Sequence, residues 1–215
     1  MTRPGQPWGR PTSAPPDVEG AGGDADLAQL VQEHPGARVR FAPKPDCDLA
    51  LAVGLSSDAA AGTELTIDAL RVDGTTVVVN AAVVGPAPDR LRRHHRSTEI
   101  TVEIDGRVAF EGAATTVVIA NGQFLRGNDV VPRGHPGDGR FEVHVYALAP
   151  AERRGMRRRI PGGDHLPHPR IRTFSAKSVA VTTGRGLRLE LDGRRAGRAE
   201  ALAVDILPGA CYLLV

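Results

Sequence analysis

From Glu64 to the C-terminus the chain is a succession of short, β-branched runs broken by Asp-Gly steps: LTIDALRV-DG-TTVVVNAAVV, TEITVEI-DG-RVAFEG and LRLEL-DG-RR. An Asp-Gly step between alternating apolar runs is a strong hairpin signal, because both residues tolerate the left-handed dihedrals a tight turn needs. The runs TTVVIANG, GRFEVHVYAL, SVAVTTG, LAVDILPG and CYLLV share this texture. Eight or more such strands at regular spacing predict an antiparallel β-sandwich over residues 61–215, interrupted by a helical stretch around PAERRGMRRRI.

Upstream the texture differs. DLAQLVQEH carries apolar residues at helical spacing, ARVRFAP alternates like a strand, and CDLALAVGL reads as a second short helix, so residues 21–60 form a small α/β segment. The Pro- and Gly-rich residues 1–20 read as a disordered leader and lack the apolar core of a secretory signal. The expected fold class is therefore α+β: an abbreviated α/β fragment followed by an antiparallel sandwich.

Composition excludes more than it selects. With 27 Lys+Arg against 25 Asp+Glu the formal net charge is +2, and only 4% of residues are aromatic. That balance offers neither the basic field nor the stacking platform of a nucleic-acid binder. The two cysteines, Cys47 and Cys211, are far apart and support neither a disulfide framework nor a cysteine zinc site. No run approaches the ~18 apolar residues of a membrane span, so the expectation is a cytoplasmic protein with, at most, peripheral membrane contact.

Several ordered motifs together resemble the bacterial diacylglycerol kinase-like lipid kinases, within the wider NAD kinase-like superfamily. VVIANGQFLRGNDVVPRGHPGDGRFEVHVYAL is similar to that family's ANG…GGG…P…A…DDGxLDV run. GGDHLPHPRI resembles RGxHxxHPxV, and LELDGRRAG…VDILPGACYLLV resembles the LDGE…VLPGALxVLV ending. Upstream, GGDADLAQLV looks like the nucleotide-binding GGDGTxxEVV, and FAPKPDCDLALAVGL like LPxGTxNDFARALGI.

The resemblance implies ATP and Mg²⁺ as cofactors, a lipid substrate such as diacylglycerol, and transfer of a phosphoryl group to its hydroxyl. It places Gly22, Gly23 and Asp24 at the nucleotide-binding turn and Asp48 in the charge network. It also implies a structural Mg²⁺ at the Asp138 carboxylate, with backbone oxygens near His135 and Arg140. The chain departs from the pattern at three places. The family's Gly-Thr after GGD is Ala25-Asp26, its Gly-Thr-x-Asn is Lys44-Pro45-Asp46-Cys47, and its general-base glutamate is Arg194. A guanidinium stays protonated and cannot take a proton from a hydroxyl. The family's first strands and helices are also expected to be missing before Gly22, as if truncated, and its helical insertion is shortened here to DRLRRHHRS.

Alternatives stand beside each reading. Gly22-Gly23-Asp24 is a phosphate turn or an ordinary capped helix start, and Asp138-Gly139 is a metal loop or a plain turn. His165 and His168, in DHLPH, read as a structural corner set by Pro167 and Pro169 and not as a metal pair. The runs RLRRHHR (90–96) and RRGMRRR (153–159) are solvated faces or a surface for anionic lipid. The functional expectation is a lipid kinase-like protein with its activity weakened or lost. Its alternatives are a non-catalytic binder of a lipid or a partner subunit, a homo-oligomer among them, and an incomplete kinase chain.

Overall fold

A computed structural model describes residues 8–55 and 62–215. Its first two strands, β1 (Arg10–Pro11) and β2 (Val18–Gly22), lie in the stretch expected to be a disordered leader. That expectation is corrected for residues 8–20, while residues 1–7 lie outside the described residues. β1 pairs antiparallel with β4 (Thr63–Val72), and β2 pairs parallel with β3 (Arg38–Pro43), in register from Val18↔Val39 to Gly22↔Pro43. Asp17 accepts the Arg38 N–H at 2.8 Å, and Glu19 pairs with Arg40. Gly20 is what admits α1 here, since a Cβ would sit 2.2 Å from Leu30 Cδ1. Prolines flanking so short a run conceal it from a periodicity reading.

The two expected helices form as α1 (Asp24–Glu33) and α2 (Asp48–Val53), with β3 between them. They pack on the parallel strands through a core that includes Leu27, Val31, Val39, Leu49, Ile67 and Leu213, all nearly inaccessible. Burying each such side chain contributes about 1.5–3 kcal/mol.

β4 turns at Asp73-Gly74 into β5 (Thr76–Val78), and β6 (Ala81–Val84) follows. β7 (Thr98–Ile104) turns at Asp105-Gly106 into β8 (Arg107–Ala114), then β9 (Thr116–Ala120). β10 (Phe124–Leu125) and β11 (Asn128–Asp129) form a separate two-stranded hairpin. β12 (Phe141–Tyr146), α3 (Arg153–Arg159), β13 (Ile171–Ala176), β14 (Ser178–Leu191) and β15 (Arg194–Leu214) complete the described chain. Each of the three expected Asp-Gly hairpins has positive φ at both residues: 47° and 75°, 48° and 79°, 45° and 75°. Those are the left-handed dihedrals that such turns need.

The sheet runs β1-β4-β15-β14-β6-β9-β12-β13, with β7 and β8 joining at β14. The fold class is α+β as expected, with a mostly antiparallel sheet and few helices. The sandwich core includes Leu70, Val102, Ile119, Val143, Val181 and Val204. β15 belongs to both units: its first part pairs with β14, and Tyr212–Leu214 run parallel to β3. Its register against β4 shifts between Leu207 and Cys211, across Pro208-Gly209. A proline donates no amide to a ladder, so the strand bends there and carries the sandwich into the helical layer.

Candidate functional site

The ends of β2 and β3, the first turns of α1 and α2, the β10–β11 turn and the β14–β15 turn converge on one cleft of about 550 Å³. Of the residues singled out from the sequence, Gly23, Asp24, Asp48 and Arg194 line it, and Gly22 ends the strand that enters it. Arg126 and Asp192 line it as well, and sequence reasoning gave neither a site role.

Asp24 is buried at the first turn of α1 and is fully engaged. One of its carboxylate oxygens accepts from Cys47 Sγ at 3.1 Å and from the Leu49 N–H at 2.9 Å; the other accepts from Asn80 Nδ2 at 3.0 Å. Burial pushes its carboxyl up to about 6. Asp192, the aspartate of the last Asp-Gly turn, accepts three consecutive amides, from Val79, Asn80 and Ala81, at 2.9–3.0 Å. Burial and the nearby Asp24 charge push it up to about 7 despite those amides. Asn80 thus ties the two acids together, with its amide on Asp24 and its backbone N–H on Asp192.

Asp48 holds the β10–β11 turn. Its carboxylate accepts the Arg126 and Gly127 N–H groups, the latter at 2.6 Å, while burial raises its pKa. Arg126 has φ +53°, a conformation that costs a non-glycine residue energy and persists only where the surroundings hold it. Its guanidinium forks onto Asp89, with contacts of 2.6 and 3.1 Å, and also bonds Glu190. The Asn121-Gly122 step, a turn dipeptide by residue type, is not where the chain reverses: neither residue has positive φ, and the Asn121 amide donates to the Asp68 and Val79 carbonyls instead. The reversal lies at Arg126-Gly127. The Arg-Gly-Asn string was the available signal, a weak one because arginine rarely adopts that dihedral.

At the α1 N-terminus a side chain of the helix itself takes the free amide. Asp26 Oδ2 accepts the Gly23 N–H at 2.9 Å, and Asp26 Oδ1 accepts from Arg194 Nη2 at 2.6 Å. The Gly23 amide and the Arg194 guanidinium hold the Asp26 carboxyl below the usual carboxylate range. Gly22, at φ +143°, leaves no room for a side chain, since a Cβ would lie 2.2 Å from Asp26 Oδ2. The cleft lining carries five carboxylates, Asp24, Asp26, Asp46, Asp48 and Asp192, against Lys44, Arg126 and Arg194. An acidic lining with its helix amide already capped does not suit a nucleotide polyphosphate.

Asp138, His135 and Arg140 lie together but line none of this cleft. Asp138 accepts the Arg140 N–H at 3.0 Å, the His135 ring takes the Gly137 N–H and lies tilted by 52° against Trp8 with ring centroids 4.6 Å apart, and the Arg140 guanidinium bonds Ser175. Buried Asp68 anchors the loop by accepting the Gly139 N–H at 2.6 Å and the Gly209 N–H at 2.8 Å. Asp68 thus gives both of its oxygens to backbone amides and Asp138 gives one, and no cluster of three or more His, Cys, Asp or Glu side chains able to hold a metal occurs among the described residues.

The two basic runs meet. Buried Arg153 of α3 donates to the carbonyls of Leu148, Arg92, Arg93 and His95, which draws the 92–97 loop onto the helix. Arg92, Arg93, Arg96, Arg154, Arg158 and Arg159 are exposed around that joint. No helix among the described residues is long and apolar enough to cross a membrane.

Comparison with known proteins places this architecture. A family model described as the YegS C-terminal NAD kinase beta sandwich-like domain matches residues 87–215. The structure is similar to a diacylglycerol kinase from Bacillus anthracis str. Sterne, with TM-score 0.73 and 16% identity over 91% of this chain and 76% of that one. It is also similar to yeast NADH kinase complexed with NADH, with TM-score 0.56 and 11% identity over 92% of this chain and 62% of that one. An NAD kinase from Archaeoglobus fulgidus in complex with ATP gives TM-score 0.52 and 9% identity over 92% and 76%. At these identities the likeness carries the fold alone. A search of curated proteins found no match.

Proposed function

This chain belongs to the YegS C-terminal NAD kinase beta sandwich-like family, within the diacylglycerol kinase-like and NAD kinase-like superfamily, and on that premise we propose that it is a non-catalytic, lipid-binding relative of the lipid kinases. The observation that carries the reading is the Gly23–Asp26–Arg194 chain of contacts. One carboxylate takes the amide at which the resemblance implies a phosphate, and Arg194, to whose place the resemblance assigns a base, is bound to that carboxylate. Phosphoryl transfer to a hydroxyl relies on positioned, charge-neutralised phosphates and on a group that accepts or orients the hydroxyl proton. Here both positions serve to close a helix end. The lipid part of the reading rests on the joined basic runs, where each exposed arginine near an anionic surface adds about 1 kcal/mol of attraction.

A thermal-shift titration with Mg·ATP and Mg·ADP is the test, run beside an assay for transfer of labelled phosphate to diacylglycerol. Ligand binding to the folded state must raise its stability. The expected result is no saturable shift and no labelled lipid, with sedimentation on anionic but not on neutral vesicles. A saturable shift with either nucleotide, or any labelled lipid, overturns the non-catalytic reading. Residual weak transfer is the second reading, favoured by the raised carboxyls of Asp24, Asp48 and Asp192 on the same cleft.

A further inference from the structure

The loop that joins Leu91 to β7 carries Arg92, Arg93, His94, His95 and Arg96, and it is held in place by guanidinium groups from elsewhere in the fold. Leu91 is wholly buried in one apolar cluster with Met156 and Ile160, which seats the loop against α3. The carbonyls of Arg92, Arg93 and His95 accept from Arg153, and that of Arg96 accepts from Arg185 of β14 at 3.0 Å. Arg92, Arg93, His94 and Arg96 are exposed on this fixed backbone, and His95 is half-buried among them.

The His95 ring closes the loop. Its Nδ1 accepts the Arg92 N–H at 2.9 Å, while the His95 N–H donates to the Arg92 carbonyl at 3.3 Å. A backbone amide can only donate, so Nδ1 carries its lone pair and the closed loop holds a neutral imidazole. Protonation of Nδ1 would turn that acceptor into a donor and release the Arg92 amide. The groups that face the ring oppose it as well. They are His94, whose ring centroid lies 4.7 Å away, Arg92 of the same loop and Arg153 from α3, with Arg185 adding a cation from β14 one residue further on. Burial first, and then His94, Arg153 and Arg92, hold His95 below the ordinary imidazole value.

A surface that bears phosphates reverses both penalties. Its oxygens neutralise the arginines that oppose another positive charge, and they accept both the imidazolium N–H and the Arg92 amide that the ring gives up. Arg154, Arg158 and Arg159 of α3 extend the exposed charge beyond the loop, a spread that one soluble phosphate cannot span and a bilayer can. Among the described residues the exposed large apolar side chains are Leu51 and Val108, on α2 and β8 and outside both the loop and α3, so the contact is made by charge. Resting on the lipid-binding reading above, we propose that docking of this loop on an anionic bilayer takes up a proton at His95 Nδ1, so that membrane affinity rises with acidity. A group whose proton affinity rises on binding makes the binding tighten as pH falls through its raised value and level off below its free one.

The test measures sedimentation of the full chain with phosphatidylcholine vesicles, with and without phosphatidylglycerol, whose charge is constant between about pH 7.5 and about pH 6, the range in which histidine titrates. Affinity for the anionic vesicles should rise by about three- to fivefold at the lower pH, the worth of one added charge near such a surface. Binding calorimetry in two buffers of different ionisation enthalpy should show net proton uptake. His95→Gln, whose amide oxygen can keep the Arg92 bond, should abolish that uptake, and His94→Gln should retain it. Equal affinity at both pH values, no proton uptake, or uptake lost with His94→Gln instead, overturns the inference and leaves the lipid reading standing. No sedimentation at either pH overturns that reading and the inference with it. Proton uptake on titration with inorganic phosphate, without vesicle binding, would assign a soluble anion and overturn the bilayer as the partner.

Discussion

Arg194 Nη2 donates to Asp26 Oδ1 across 2.6 Å, joining the last hairpin turn of the sheet to the first turn of α1, 168 residues away in sequence. The pair lines the acidic cleft and leaves Asp26 Oδ2 on the Gly23 amide. It is partly open to solvent, with side-chain exposures of 62% for Arg194 and 35% for Asp26, so its role is positional more than stabilising.

Arg194→Ala should therefore change unfolding free energy by only about 0.2–1 kcal/mol. Asp26→Ala also removes the carboxylate from the Gly23 N–H and should cost about 1 kcal/mol, the usual loss of a helix cap. Denaturant melts of the two variants check the order; equal losses would mean that the ion pair, and not the cap, dominates.

The double variant Asp26→Thr, Arg194→Glu removes the internal anion and restores a proton acceptor. It should give the first saturable thermal shift with Mg·ADP, whereas neither single change suffices. A shift in Arg194→Glu alone would show that Asp26 is no barrier to phosphate.

Asp24 sets a pH signature. Its folded pKa, about 6, is raised above the ordinary carboxylate value, so its contribution is fully present below about pH 4 and is lost as pH rises through 6. Asp24→Asn should gain on the wild type by on the order of 2–3 kcal/mol between pH 4 and 7, since each tenfold change in proton affinity is worth about 1.4 kcal/mol. His144, whose burial pushes it down to about 4, drives overall stability the opposite way. The readout is therefore the difference between the two melting profiles, and parallel profiles would refute it.

Arg153→Met keeps the buried stem but deletes the guanidinium that bonds four carbonyls. A loss of about 2–4 kcal/mol is expected from the carbonyls left without a donor. Amide exchange should quicken across residues 92–97, and sedimentation with anionic vesicles should fall as the two basic segments separate. Undiminished vesicle binding with a loosened loop would show that the segments bind lipid without being joined.

Gly22→Ala forces a Cβ within 2.2 Å of Asp26 Oδ2 at a dihedral alanine avoids. The expected cost is about 1–3 kcal/mol, and Asp26→Gly should relieve part of it. Additive losses in the double variant would show that the contact is not shared.

The three Asp-Gly hairpins, both site helices and α3 were legible because each is specified by residues within one turn or one hairpin. The Val18–Gly22 strand was not, because its pairing partner β3 lies beyond α1 and its prolines resemble a linker. Arg126 was missed for a similar reason. Its left-handed backbone is held by Asp48 and its side chain by Asp89 and Glu190, none of them sequence neighbours. In the sequence Asp192 is only a turn residue, yet the same aspartate accepts three amides of the segment entering β6.

By itself the sequence determined the periodicity, the turn chemistry and the residue types on offer: a mostly antiparallel second half, two short helices before it, and an arginine where a base is expected. Those properties are local, and local dihedral preferences express them without knowledge of the rest of the chain. Only the tertiary structure decided that Asp26 would fill the helix amide and that Arg194 would reach it. It also decided that β15 would bend at Pro208-Gly209 to bind both units. Each of these depends on segments brought together by burial of the sandwich and helical cores, a driving force that has magnitude but no direction and so leaves no mark at any one position.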